Sequence, residues 1–276
     1  MRFAIITSKK DIAGMTIKDS LLKRFPFVKT NQLFYNIPIY KLELDNRTIL
    51  LYTLTEDTIY FESPENHIKT DYFIFATRHS SKSGKKTLSM HFPGNFGKAD
   101  FGGQEKELCT APPNLLKQAF INLNKYGKDS GFSISLEATH HGPLIKKPVV
   151  FIEIGSTENE WKKKKAGDII AKTIIETIKN YEKKDYETVI GFGGMHYCAG
   201  FNKIELATNI ALSHICPKYI IENIDEEIVK KMINSTYERV DYALIDWKGT
   251  NSVQRYKIVK ILENLKLRWK KTKEIK

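Results

Sequence analysis

The chain has few cysteines, and it lacks the long apolar runs and paired thiols that mark several common classes of protein. Its three cysteines, Cys109, Cys198 and Cys216, are far apart and form no CxxC pair. This excludes a cysteine-based structural zinc site of the usual spacing and fits a reducing compartment. No apolar run approaches the ~18 residues of a membrane helix. In the first residues, MRFAIITSKK, an apolar run only one strand long is followed at once by two lysines. We therefore expect no signal peptide and a cytoplasmic protein without a membrane segment.

Complete nucleotide-binding fingerprints are also absent. The stretch GFGGMH at 191–196 has no third glycine of a dinucleotide-binding loop, because His196 stands in its place. The segment SKSGKKT at 81–87 resembles the end of a phosphate-binding loop but lacks its leading glycine. We therefore expect the protein to bind neither a nucleotide triphosphate nor a dinucleotide.

The overall composition is that of a folded globular protein. The chain has 276 residues, of which 41% are hydrophobic and 28% charged, and it contains no linker-like segment. We therefore expect one α/β domain over residues 1–276. Lysine and arginine number 44 against 32 aspartate and glutamate, which gives a formal net charge of +12. This surplus favours a polyanionic partner such as RNA, although solubility alone accounts for it equally well.

Apolar periodicity predicts a chain in which strands and helices alternate. Strands are expected at 2–7, 37–44, 48–54, 72–76, 132–136, 149–154, 188–191, 214–221 and 242–245. Helices are expected at 15–25, 112–127, 157–181, 203–212, 225–236 and 250–265, the third with Thr157 and Glu160 as a capping box. Alternation from residue 132 onward favours a three-layer α/β/α architecture with a mostly parallel central sheet, made mixed by one hairpin.

Two further segments carry functional signals. Residues 92–111 contain several glycines and a proline without periodicity, and long structureless loops inside a compact domain are usually functional. We expect an active-site loop there. The basic tail at 266–276 contains Trp269 among lysines, a combination suited either to base stacking with phosphate contact or to a packed helix end.

Six of the seven histidines, all except His67, lie in or beside short loops and turns that adjoin strand-like runs. The ends of strands in an open α/β sheet are where ligands bind, and neutral imidazole both binds metal and exchanges protons near neutral pH. The catalytic candidates are His79, His140 and His196, each of which follows a different strand. The metal-ligand candidates are His79, His91, His140, His141 and His196, and a structural hydrogen-bonding role stays open for each.

Glu137 is the carboxylate nearest to these histidines along the chain. As a catalytic candidate it could act as a general base or orient a histidine ligand, or it could instead cap backbone amides at the end of a strand. Glu153 presents the same alternatives one strand later.

Candidate substrate-binding residues flank the histidines. Arg78, Ser80 and Ser81 could bind the terminal ribose and phosphate of a nucleic acid, with an ordinary salt bridge as the alternative for Arg78. Gly193 and Gly194 could bring backbone amides close to a ligand and donate to a developing oxyanion. A tight turn after a strand explains the same two glycines without catalysis.

Several of these segments together resemble a known enzyme family. RHSS at 78–81, MHFPGNF at 90–96, EATHHGP at 137–143, EIGST at 153–157, GFGGMHY at 191–197 and SHI at 213–215 look like the D-aminoacyl-tRNA deacylase of the archaeal and plant type. The resemblance implies a zinc-dependent hydrolytic domain that cleaves the ester between a D-amino acid and its tRNA. It also implies an α/β core similar to those of peptidyl-tRNA hydrolase and purine nucleoside phosphorylase.

Two other functions are compatible with the same residues. A zinc-dependent amidohydrolase or exopeptidase on small substrates would use the histidines and need no basic surface. A non-enzymatic RNA-binding module would use them only to shape the fold, and histidines scattered over the structure would favour it. The resemblance implies D-aminoacyl-tRNA as the partner, whereas the zinc ligands and the oligomeric state stay open.

Overall fold

The computed structural model describes residues 1–275, in which two β-sheets pack with α-helices. The strands are β1 (Arg2–Ser8), β2 (Val28–Phe34), β3 (Ile37–Leu44), β4 (Arg47–Leu54), β5 (Tyr72–Arg78), β6 (Thr87–His91), β7 (Ser133–Leu136), β8 (Val149–Gly155), β9 (Glu187–Phe192), β10 (Ile210–Cys216), β11 (Tyr242–Ile245) and β12 (Trp269–Lys271). The helices are α1 (Ile12–Arg24), α2 (Pro113–Gly127), α3 (Glu158–Trp161), α4 (Lys164–Asn180), α5 (Ala199–Ala207), α6 (Glu226–Asn234) and α7 (Ser252–Asn264).

The larger sheet has eight strands in the order β2-β3-β4-β1-β5-β8-β6-β7. β1 lies between β4 and β5 and is parallel to both, and β5 is parallel to β8. Antiparallel pairs join β2 to β3, β3 to β4, and β6 to β8. The apolar runs of β5 and β8 are buried along nearly their whole length, as expected for a sheet covered on both faces. The predicted three-layer α/β/α architecture with a mostly parallel, mixed sheet is confirmed.

A second sheet contains four parallel strands in the order β10-β9-β11-β12. The sequence predicts β9, β10 and β11 but assigns them to the central sheet, because periodicity reports which residues are extended and not which strands pair. Leu88 and Val150 of the larger sheet share one buried apolar cluster with Val189 and Leu212 of the smaller one. The two sheets are therefore packed around common side chains.

The helices pack through apolar faces, as their sequence spacing predicts. Ile170, Ile174 and Ile178 of α4 recur every fourth residue and are all buried, because this spacing places them on one side of the helix. The carboxylate of Asp11 accepts a hydrogen bond from the amide of Gly14 at 2.8 Å and caps α1. The predicted hairpin is the antiparallel pair of β3 and β4, and proline opens α2 as predicted.

The helix predicted at 157–181 is in fact two helices, α3 and α4. Lys163 has an extended backbone between them, with φ −73° and ψ 108°. The predicted capping box is also wrong, since the hydroxyl of Thr157 bonds the carboxylate of Glu160 at 2.5 Å and makes no cap to a backbone amide. The short first helix thus turns the chain before the long amphipathic helix begins.

Two other elements are displaced along the chain. The helix predicted at 203–212 is α5, which begins at Ala199 and ends before β10. The strand predicted at 214–221 is β10, which ends earlier because Pro217 has no amide hydrogen with which to continue a ladder.

The tail contains a short strand followed by a 3₁₀ turn at Thr272–Glu274, so the alternative of a packed helix end at Trp269 is wrong. Trp269 lies in β12, and its ring stacks on that of Trp247 with 6.1 Å between the centroids. The ammonium of Lys271 lies 4.4 Å from the Trp247 ring centroid. Of the predicted tail, Lys276 lies outside the described residues. No helix within residues 1–275 is both long and apolar enough to cross a membrane.

Three loops are held together by close backbone approaches that require glycine. A Cβ on Gly142 would lie 2.1 Å from the amide nitrogen of Gly103, and one on Gly102 would lie 1.8 Å from the carbonyl oxygen of Ile59. The amide of Gly142 also donates to the carbonyl oxygen of Phe101 at 2.9 Å. The backbone at these three places therefore forms one closely packed unit.

We expect Gly142→Ala to lower the free energy of unfolding by about 1–3 kcal/mol, because the added methyl group can be accommodated only by moving backbone. The matched control is Gly97→Ala in the same region, where an added Cβ meets nothing within 4 Å. Urea unfolding of both variants measures the difference. Equal stability of the two variants would show that the close approach relaxes without cost.

Candidate active site

Neighbouring strands of the larger sheet deliver ionisable side chains to one region. His79 directly follows β5, Glu153 lies within β8, and His91 is the last residue of β6. Glu137 follows β7, and His140 lies on the loop after it. Because β5, β8, β6 and β7 are adjacent in the sheet, these side chains converge although they are distant in sequence.

The cluster opens into a pocket of about 830 Å³. Its walls include His79, His140, His141, Glu153 and His196. His196 arrives from the second sheet, on the loop that follows β9. The amide of Ala138 donates to the carbonyl oxygen of His196 at 2.9 Å, so the loops after β7 and β9 lie side by side.

Glu137 is the fully buried centre of the cluster. Its carboxylate oxygens lie 3.1 Å from Nε2 of His196, 3.2 Å from Nδ1 of His79 and 3.7 Å from Nε2 of His140. Burial alone would raise the pKa of this carboxyl, but His196 and His79 outweigh burial and hold the pKa well below its usual range. Glu137 is therefore ionised at neutral pH.

Glu153 is a second buried carboxylate in the same cluster. Its oxygens accept a hydrogen bond from the hydroxyl of Thr77 at 2.8 Å and lie 3.5 Å from Nδ1 of His79 and 3.7 Å from Nε2 of His91. Burial raises its pKa, yet the two histidines lower it below the ordinary glutamate value. The sequence signal for Glu153 is an acidic residue inside the apolar run VVFIEIG.

His79 is held between these two carboxylates. Burial would lower its pKa, but Glu137 and Glu153 raise the pKa to about 11, so the ring is an imidazolium at neutral pH. Its Nε2 lies 3.1 Å from the hydroxyl oxygen of Tyr197. Tyr197 was not predicted as a site residue, although it belongs to the same GFGGMHY segment as His196.

Three other histidines share one orientation. Nδ1 of His91 lies 3.1 Å from the carbonyl oxygen of Phe92. Nδ1 of His140 lies 2.8 Å from the carbonyl oxygen of Ala138, and Nδ1 of His141 lies 2.6 Å from that of Gly142. A carbonyl oxygen only accepts, so each Nδ1 carries the hydrogen. Each Nε2 is therefore the atom available to a second proton or to a metal ion, which is the arrangement that metal-binding histidines commonly show.

The electrostatics of these three rings differ. Burial, reinforced by the neighbouring histidines, holds the pKa of His140 well below its usual value and lowers that of His141 to about 4. Both rings are therefore neutral at neutral pH and can act as ligands. Burial would also lower the pKa of His91, but Glu153 raises it above the usual value. A positive charge at Nε2 of His91 is thus favoured, whether a proton or a metal ion supplies it.

Several buried polar atoms of the cluster make no well-formed hydrogen bond among the described residues, although histidine nitrogens lie 3.1–3.7 Å from the carboxylate oxygens. They are Nε2 of His91, both carboxylate oxygens of Glu137 and Oε2 of Glu153. Three groups have ligating atoms within 4.8 Å of one another, namely His79 with Glu137, His140 and His196; His91 with His140 and His141; and His91 with Glu137 and Glu153. These nitrogen and oxygen atoms fit a cation such as zinc.

The predicted phosphate-binding residues have other contacts. The guanidinium of Arg78 lines the pocket but pairs with Asp57 at 3.0 Å and donates to the carbonyl of Lys10 at 2.8 Å. Arg78 therefore forms the salt bridge that the sequence allowed as the alternative to phosphate binding. Ser80 lines the pocket. The hydroxyl oxygen of Ser81 lies 2.9 Å from the hydroxyl oxygen of Ser83 in the same loop.

Gly193 and Gly194 do not contribute amides to the pocket. The amide of Gly193 donates to the carbonyl of Cys216 at 2.9 Å, and that of Gly194 donates to the carbonyl of Gly249 at 3.4 Å. Their φ angles of 103° and 78° instead fit the tight turn after β9 that the sequence allowed. The carbonyl partners of both amides favour the turn over the oxyanion role. His214 is likewise structural, since its two ring nitrogens contact protein oxygens in the core.

A family model and several archaeal proteins similar to this chain carry one name. A family model for D-aminoacyl-tRNA deacylase matches residues 66–270. The D-aminoacyl-tRNA deacylase of Thermococcus kodakarensis is 36% identical over 95% of this chain and 97% of its own length. That of Methanocaldococcus jannaschii is 35% identical over 98% of this chain and 100% of its own length. A solved structure described as a conserved protein of unknown function covers 100% of this chain, with 31% identity and a TM-score of 0.87.

The family model and the two archaeal relatives cover most of the chain, including every histidine of the cluster. The resemblance inferred from the sequence motifs is therefore confirmed. The relatives carry the name of a hydrolase that acts on an ester bond, so the predicted enzyme class is also confirmed. The chain belongs to the D-aminoacyl-tRNA deacylase family.

Proposed function

We propose that this protein hydrolyses the ester bond of D-aminoacyl-tRNA with the help of bound zinc. The observation that carries the proposal is the convergence of five histidines and two buried carboxylates in one cluster that opens into the pocket, in a chain with a net charge of +12. Clustering of the histidines counts against a purely RNA-binding module, and the basic surplus counts against a hydrolase of small peptides.

Zinc would be held by Nε2 of His91, His140 and His141. This group has its ligating atoms within 4.8 Å of one another. Each ring also has its Nδ1 fixed on a backbone carbonyl, as ligand histidines usually do. When bound, zinc would lower the pKa of a coordinated water to about 7 and polarise the ester carbonyl.

His196 and Glu137 provide the proton transfer in this proposal. The carboxylate of Glu137, 3.1 Å from Nε2 of His196, favours a proton on that nitrogen and leaves Nδ1 as the basic atom. Nδ1 takes a proton from the attacking water while the water oxygen bonds to the carbonyl carbon. The bond from this carbon to the ribose oxygen then breaks, and the same proton passes to the ribose oxygen. The products are the free D-amino acid and tRNA.

His79 acts as a positioning residue in this scheme. Its imidazolium lies between Glu137 and Glu153 and compensates part of their charge. Tyr197 contacts the opposite ring nitrogen at 3.1 Å and fixes the ring plane. Glu137 is thereby held in the orientation in which it contacts His196.

Removal of zinc should abolish hydrolysis without unfolding the protein, because the apolar core is too large to depend on a metal. His141→Ala should lower the zinc content measured by atomic absorption, whereas the control His67→Ala, on an exposed histidine outside the cluster, should not. Full turnover by verified metal-free protein would instead favour assistance by the terminal ribose hydroxyl of the substrate.

His196→Ala should reduce kcat by about 10²- to 10⁴-fold, the range for loss of a general acid or base. Zinc content should stay unchanged, because His196 is not in the proposed ligand group, whereas thermal stability should fall, because buried Glu137 loses one of its compensating partners. The neighbouring exposed side chain provides the control, Met195→Ala, which should retain activity. A loss of zinc in His196→Ala would reassign this histidine from proton transfer to metal binding.

A direct test of the substrate compares D-tyrosyl-tRNA with L-tyrosyl-tRNA in one deacylation assay. We expect faster hydrolysis of the D form, since the closely packed loop at 92–104 can exclude the L side chain by steric contact. We expect raised salt to weaken the binding of both, because lysine and arginine contacts to phosphate release counterions. Equal rates on the two enantiomers, or cleavage of free D-amino acid esters with the same efficiency and no salt dependence, would contradict the proposed function.

A further inference from the structure

Aromatic side chains surround the mouth of the active-site pocket. Tyr60, Phe101 and Tyr219 line the pocket together with the histidine cluster, yet they are 53%, 65% and 51% exposed. Exposed aromatic side chains grouped at one opening leave apolar surface in water and are typical of binding sites. None of the three has a role in the proton transfer or metal binding described above.

The backbone that carries two of these side chains is fixed relative to the histidines. The carbonyl of Phe101 accepts a hydrogen bond from the amide of Gly142, the residue after His141, at 2.9 Å. Gly102 lies so close to the carbonyl of Ile59, the residue before Tyr60, that it cannot carry a Cβ. The side chains of Tyr60 and Phe101 are therefore exposed while their backbones are held next to the site.

The backbone on the other side of Phe101 is also anchored. The side-chain amide of Asn95, itself buried, donates to the carbonyl of Gly102 at 2.9 Å, and the amide of Gly103 donates to the carboxylate of Glu62 at 2.6 Å. A loop fixed at these points keeps Phe101 in place before a ligand arrives. Such pre-organisation reduces the entropy lost on binding.

The chemistry of the substrate indicates what these rings contact. The ester to be cleaved is attached to the terminal ribose of tRNA, so a base always lies one sugar away from the reacting carbon. Every base has a π-face that stacks on aromatic side chains, a contact worth about 1–3 kcal/mol per base. The amino acid differs from substrate to substrate, whereas the terminal base does not.

We propose, on the basis of the proposed function, that Phe101 and Tyr60 hold the terminal base of the tRNA by stacking. This contact positions the ester over the histidine cluster. It acts on binding and not on proton transfer. The residues with this role are distinct from the candidate ligands and from the His196 and Glu137 pair.

The experiment measures binding of uncharged tRNA, with and without its terminal adenosine, to the full-length protein. For the wild type, removal of the adenosine should weaken binding by about 5- to 150-fold, which is the stacking contribution converted to a ratio. For Phe101→Leu the difference should shrink, and for the double variant Phe101→Leu/Tyr60→Leu the two RNAs should bind almost equally. Phe101→Trp should restore the difference, because the larger ring stacks at least as well.

Tyr256→Leu is the matched control, since Tyr256 on α7 is 71% exposed and does not line the pocket. It should keep the full dependence on the terminal adenosine. A wild-type protein that binds both RNAs equally, or a Phe101→Leu variant that keeps the wild-type difference, would overturn the stacking role. Phe101 is mostly exposed, so its replacement should leave the fold intact, and thermal unfolding checks this.

Deacylation kinetics separate this proposal from failure of the proposed function. Phe101→Leu should raise KM by a similar factor for D-tyrosyl-tRNA and D-alanyl-tRNA and leave kcat nearly unchanged. An increase in KM confined to the tyrosyl substrate would show that the rings hold the amino acid side chain, and it would contradict base stacking. If the wild type cleaves no aminoacyl-tRNA, the proposed function is wrong, while the binding experiment still reports on the stacking contact.

Discussion

The active-site cluster depends on the buried charge of Glu137. Removing a carboxylate from water costs several kcal/mol unless its partners compensate. The compensation comes from His79 and His196, at 3.2 and 3.1 Å. His79 follows β5 of the larger sheet and His196 follows β9 of the smaller sheet. The two sheets must therefore be packed in this one arrangement for Glu137 to stay ionised, and backbone pairing between Glu137 and Tyr197 supports the same arrangement.

The sequence predicted the parts of this site that follow local rules. Histidines after buried strands were expected to converge, and His79, His140 and His196 do lie around Glu137. The sequence does not identify Glu153 as a site residue equally clearly. Its side chain reaches the histidines only because β8 lies between β5 and β6 in the sheet. That order places the carboxylate within reach of two histidines. The contact is a long-range property that spacing along the chain does not contain.

The errors in the fold have the same origin. Periodicity identified most strands and helices, but it placed β9, β10 and β11 in one sheet with the rest. It also extended a helix through Lys163, where the backbone is extended although the sequence has no glycine or proline. For Gly193 and Gly194 the sequence permitted two explanations. The decision between them depended on the carbonyl partners of their amides, Cys216 and Gly249, which lie far away in the chain.

The charge balance of the cluster allows the proposed metal binding and the proposed proton transfer to share one pocket. The two ionised carboxylates carry one negative charge more than the imidazolium of His79 offsets, and this remaining charge raises the pKa of His91, so that a proton or a metal ion at its Nε2 is favoured. His140 and His141 are neutral and cannot offset this remaining charge. A cation at their Nε2 atoms would offset the excess without displacing His79, because His79 approaches the carboxylates through its own Nδ1. The proposed zinc and the imidazolium can therefore stabilise the same two carboxylates at once, while His196 stays free to exchange a proton with substrate.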